Sequence, residues 1–398
     1  MRRQRGRVGL MAAALVGMVA SGAAAEVTTE LSASILVFPK VVADGTRDTI
    51  IQITNTSNSM VHAHCFYVNG ALTFPFGPDG LPNTGDEGPS EFNPPLWTEI
   101  DFDIWLTKQQ PTYWLVSEGR LVNPADPSCS NELGAKMAPS SSAEEGKKHG
   151  FFSCWNAGFD PGRVPPVVED FTGELKCVEV EETGAPVSGN HLKGEATLVT
   201  LETGDVAKYN ALGIIGLNNN NGDEILCLGG QPDEEGDCPE GAEYNACPQT
   251  WILNHLADGA ADPVIGANSR VTTDITVVPC AENFETQVPE TVTIQFLLYN
   301  EYEQRFSTST SVTCWAELNL SAIDLVFSRD FVGTDWVQTR MRPSTGTNSG
   351  FLVVADERHT IFGSGGPEAE STAAVNLHVE GERPGPDKIV IPVEQIQP

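Results

Sequence analysis

A few clusters carry residue types and spacings that chemistry can use. In "TIIQITNTSNSMVHAHCFYVNG", residues 49–70, His62, His64 and Cys65 stand almost side by side. Imidazole and thiolate are common ligands of zinc and copper, yet such a site needs a full set of donors aimed at one point. On a strand, side chains alternate between faces, so His62 and His64 share one face while Cys65 points to the other. Histidines 149, 191, 255, 359 and 378 offer no matching pair. The stretch reads as a core strand, and no metal and no cofactor are assigned.

The acidic groups invite the same test. Glu99, Asp101 and Asp103 in "TEIDFDIWLT" form a stripe at strand spacing, read here as a solvated face. "NNNNGDEIL" offers Asn219, Asn221 and Asp223 for calcium. Placing Gly222 as the loop glycine, however, puts Leu217 and Leu228 where an EF-hand needs acids. Asp233, Glu235 and Asp237 also miss the template, so these loops are expected to hold divalent cations only weakly. Trp97, Trp105, Tyr113 and Trp114 are the best candidates for stacking on sugar faces; the competing reading is that they fill a core. No nucleophile elbow, His-Glu-x-x-His or phosphate loop occurs. No catalytic residue is therefore assigned, and the reading leans to a non-enzyme. Leu81-Pro-Asn-Thr-Gly85 matches a sortase pentapeptide but sits in an early loop with no apolar stretch and basic tail after it.

The ends and the charge set the compartment. Arg2, Arg3, Arg5 and Arg7 precede an apolar run and Ala23-Ala24-Ala25, the parts of a secretory leader cleaved after Ala25. No later run approaches the roughly 20 apolar residues that span a bilayer. Net charge is −31, and loss of four leader arginines makes the mature chain more negative still. Such a field repels phosphate backbones, which excludes nucleic acid as a partner. The nine cysteines would meet an oxidising compartment, secreted or periplasmic, where disulfides are their ordinary use. Cys129–Cys154 and Cys238–Cys247, each closing a polar loop, are the expected staples. Cys65 and Cys314 lie beside aromatics, and either fits a buried free thiol; the other pairings stay open.

Positioning all of this requires strands. Alternation recurs in "GELKCVEV", "GEATLVTLE", "VTTDITVVP" and "TVTIQFLLYN", separated by turn clusters such as "ADGTRD". The chain reads as all-β and antiparallel. It divides into a leader (1–25), a first β-sandwich region (26–200), an irregular acidic Cys-containing insert (201–265) and a second β-sandwich region (266–398). "DTIIQITNTSNSMVHAHCFYVNG" resembles the opening strands of bacterial immunoglobulin-like domains, with "ILVFPKVV", "FTGELKCVEV" and "GNHLKGEAT" similar to exported bacterial proteins of uncharacterised function. The resemblance implies immunoglobulin-like β-sandwich modules with long disulfide-stapled loops, and an address rather than a reaction. The expected role is structural or binding, in the periplasm or at or outside the cell surface, with other surface proteins or glycans as partners. The alternative is a secreted carbohydrate-binding protein or hydrolase using acidic loops and exposed aromatics.

Overall fold

The computed structural model describes residues 27–74, 93, 95–120, 161–168, 170–217, 220–232, 238–239, 241–345 and 349–392. The leader with its cleavage site, Cys129, Cys154, the sortase-like pentapeptide, Asn219, and the acids Asp233, Glu235 and Asp237 lie outside the described residues.

The strands follow the hydrophobic alternation. The first sheet runs β4 (Thr98–Leu106), β3 (Val61–Asn69), β6 (Phe171–Val180), β1 (Ile35–Ala43) and β9 (Leu212–Ile214). The second runs β5 (Pro111–Leu115), β2 (Arg47–Asn55), β7 (Leu192–Thr200) and β8 (Val206–Asn210). A small sheet joins β10 (Ile225–Leu228), β21 (Asp387–Val390) and β13 (Glu282–Asn283). The fourth runs β15 (Arg305–Thr313), β14 (Thr291–Asn300), β17 (Trp336–Pro343), β11 (Pro248–Leu256) and β20 (His378–Glu382). The fifth runs β16 (Ala316–Asn319), β12 (Ser269–Pro279), β18 (Phe351–Gly363) and β19 (Gly366–Asn376). Two one-turn helices, α1 (Leu320–Ile323) and α2 (Arg329–Val332), follow β16. Among the described residues, no helix is long and apolar enough to cross a membrane.

The all-β class holds, but the immunoglobulin-like sandwich modules do not. The strands form five small sheets arranged as a five-bladed β-propeller. These blades are not simple meanders, since β6 inserts between β3 and β1, and β21 between β10 and β13. Burial shows why sandwich modules fail. An immunoglobulin-like sheet has one core face and one outer face. Here every residue of β1 is buried. Leu36, Phe38, Cys65 and Tyr67 pack with Ile51, Trp114 and Ala196 of the second sheet. Ile35, Val37, Phe66 and Val68 turn the other way, into one core with Trp251, Ile275, Val277 and Phe284. The stretch read as an irregular insert, 201–265, carries β8 to β11.

Disulfides join Cys65 to Cys177, Cys227 to Cys238 and Cys247 to Cys280, while Cys314 is a buried free thiol. The expected Cys238–Cys247 staple is thus corrected: both cysteines are bonded, each to another partner. Their nearness in sequence misleads because strand pairing sets the neighbours. Cys227 ends up 5.9 Å from Cys238, and Cys280, at the end of β12, lies 6.5 Å from Cys247 between Cα atoms. Cys65 and Cys177 face each other directly in the β3–β6 register.

Candidate functional site

A cleft of about 690 Å³ lies over the outer face of the second sheet. Alternation builds its floor. Ile51 and Ile53 of β2 turn into the core, which leaves Gln52 and Thr54 outward. On β5 Trp114 is buried and Tyr113 stands 69% exposed; on β7 Leu192 and Ala196 are buried, with Lys193 and Glu195 outward. The register sets Gln52 opposite both Tyr113 and Glu195, and Thr54 opposite both Pro111 and Lys193. Gly194 has a local cause: a Cβ there would come within 2.5 Å of the Phe38 ring packed beneath it. Thr29, Glu30 and Leu31 form one wall, anchored where the Thr28 N–H donates to the Gly213 carbonyl at 2.9 Å. Asn210 and Ala211 close the far side.

Chemically, the cleft offers one aromatic face, the amides of Gln52 and Asn210, several threonine hydroxyls, the Lys193 ammonium and the carboxylates of Glu30 and Glu195. Glu195 is ion-paired with Lys208. A second cleft of about 500 Å³ beside β17 is lined by Arg342, Arg383, Gln249 and Gln295.

The four aromatics singled out for sugar stacking separate cleanly. Trp97, Trp105 and Trp114 are 7%, 6% and 2% exposed and fill cores. Trp114 donates its indole N–H to the Tyr67 hydroxyl at 2.5 Å, and Trp105 stacks on His62 at 3.8 Å between ring centroids. Tyr113 alone of the four faces the cleft.

The acidic stripe is corrected as well. Asp103 is buried, because β4 lies beside β3 with Asp103 opposite His64. His62 Nε2 lies 2.7 Å and His64 Nδ1 3.1 Å from the same Asp103 oxygen, with Asp101 3.7 Å from His64 Nε2. Burial works against charge on His64, but Asp103 and then Asp101 outweigh it and push its pKa up to about 10. Burial likewise opposes charge on Asp103, yet His64 and the hydrogen bonds from both rings hold its carboxyl far below the ordinary range. The pair is an imidazolium–carboxylate bridge at neutral pH. The sequence signal was available, since His-x-His and Asp-x-Asp-x-Trp are matched strand patterns of opposite charge; only their register was missing.

Among the described residues, the one group of three close metal-type donors is Cys247, Cys280 and Asp387. The disulfide uses both sulfurs. Burial pushes the Asp387 carboxyl up to about 6 against the pull of Arg383 and the Gly350 N–H. In the calcium-like loop, oxygens of Asn221 and Asp223 accept turn hydrogen bonds from the N–H groups of Asp223 and Ile225.

Fold and cleft define a disulfide-bonded all-β protein of five small sheets with an open groove on one outer face. No protein-family model and no curated protein matches this chain.

Proposed function

We propose that this is an exported, non-enzymatic binding protein whose cleft over β5, β2 and β7 takes a neutral, hydroxyl-rich ligand, a glycan segment outside the cytoplasm. The observation that carries the reading is Tyr113, an exposed ring set directly opposite the Gln52 amide. Aromatic faces cover the apolar faces of sugar rings, and amides and hydroxyls match their rims. The net charge of −31 disfavours anionic ligands, and the three disulfides among the described residues fit an oxidising compartment.

The test is calorimetric titration of neutral oligosaccharides, chosen from an array, into wild type and Tyr113→Ala. Loss of the ring should weaken binding at least about tenfold, near 1.4 kcal/mol, without moving the melting temperature, since the side chain is exposed. Wild type that binds no neutral glycan, or a Tyr113→Ala protein that binds undiminished, contradicts the reading.

A further inference from the structure

Glu174 and Lys176 of β6 meet Glu282 of β13 where the first sheet faces the small sheet. All three are shut off from water, at 0%, 0% and 3% exposure. Lys176 Nζ contacts Glu282 Oε2 and lies 3.8 Å from Glu174 Oε2. The Phe284 ring sits 5.4 Å from the same nitrogen and stacks on Phe66 at 4.3 Å, so the wall of the site is aromatic. Glu282 Oε1 and both Glu174 oxygens have no hydrogen-bond partner.

An ammonium and two carboxylates removed from water are costly unless every lone pair finds a donor, and here three oxygens do not. A proton on Glu174 relieves part of this. Burial, and then the charge of Glu282, push its carboxyl well above the ordinary range, which favours its neutral form. Burial opposes charge on Lys176, but Glu174 and Glu282 outweigh it and favour the ammonium, so the amine is freed only as its proton passes to the Glu282 oxygen it contacts. That leaves a primary amine against the carbonyl carbon of a carboxylic acid, in a dry site, with a second carboxyl able to move protons. These are the groups that amide formation needs, held in contact.

We infer that Lys176 and Glu282 are joined by an isopeptide bond, with Glu174 as the proton carrier. The Nζ lone pair attacks Cδ of protonated Glu282. Glu174 gives its proton to the departing hydroxyl and, as the carboxylate so formed, takes one from the attacking nitrogen. The nitrogen–carbon bond forms, the carbon–oxygen bond breaks, and water leaves. In sum, one ammonium and one carboxylate become one amide and one water; Glu174 ends with the proton it began with, and nothing is oxidised or reduced. The neighbouring Cys314 thiol does not compete, because burial pushes its pKa up and keeps it protonated. The product is uncharged and supplies the amide groups that Glu174 lacks as partners.

The test is tandem mass spectrometry of a tryptic digest of the full wild-type chain, reduced and unfolded. A branched peptide should join the Lys176 segment to the Glu282 segment, lighter than their sum by one water, with cleavage after Lys176 blocked. Lys176→Arg keeps the positive charge and should show no branched peptide; Glu174→Gln should reduce it at least tenfold. Cleavage after Lys176 in most wild-type molecules, with both segments at their unmodified masses, overturns the bond. An undiminished branched peptide in Glu174→Gln overturns the role of Glu174.

Discussion

Lys40 and Lys176 are both buried, and both reach from the first sheet to carboxylates of strands far along the chain, yet their company differs. Lys40 Nζ contacts Asp356 Oδ2 and lies 2.6 Å from Glu317 Oε1. Arg47 lies 3.4 Å from the same Glu317 oxygen and pairs with Asp44 as well. Burial works against charge on Glu317, but Lys40 and Arg47 outweigh it and hold the carboxyl below the ordinary range. Among the described residues no arginine pairs with this cluster, and burial and Glu282 push the second carboxyl, Glu174, well above the ordinary range. Around Lys40, two cations face these carboxylates, although burial still pushes the Asp356 carboxyl above the ordinary range. One cation between two carboxyls has a single counter-charge, Glu282, and beside it a carboxyl that burial drives towards its neutral form. The third partner decides between an ion pair and a bond.

The largest expected effect comes from Lys176→Met. It removes the covalent closure of a loop spanning 106 positions in sequence and strands two buried carboxyls. Loop-closure entropy alone is about 4–5 kcal/mol for such a length, so this variant should be the least stable in thermal unfolding. Lys40→Met removes one partner of an ionic network, which costs about 3–5 kcal/mol when the remaining charge is uncompensated, and less here because Arg47 still serves Glu317. Equal melting temperatures for the two variants would break the comparison.

A third buried cluster sharpens it through pH. His64 titrates near 10 when folded and near 6.5 when unfolded. Its stabilisation is fully present below about 6.5 and is lost as pH rises through about 10, on the order of a few kcal/mol. Melting temperature should therefore fall across that alkaline window in wild type, and the slope should flatten in His64→Gln. The smallest effect belongs to Arg47→Gln, about 1 kcal/mol or less, because its side chain is 29% exposed and solvent screens the pair.

The strands were legible because each wrote its own alternation: β14 buries Val292, Ile294, Phe296 and Leu298 and turns the residues between them outward. What covers the second face of a sheet is not local information. Ile35 and Leu36 look alike in sequence, yet they point into different cores, and that difference separates five packed sheets from sandwich modules. The candidate site was half legible. Tyr113 was among the four aromatics weighed for sugars, but Gln52 and Lys193 became partners only through the β5–β2–β7 register. Lys176 and Glu282 passed unnoticed for the same reason: nothing near either residue indicates the other.

The most direct measurement is the intact mass of wild type, Lys40→Met and Lys176→Met, reduced, denatured and run side by side. After correction for the substitutions, wild type and Lys40→Met should each be one water lighter than the sequence mass, and Lys176→Met should match it. Wild type at the full sequence mass, or a deficit that persists in Lys176→Met, would contradict the account.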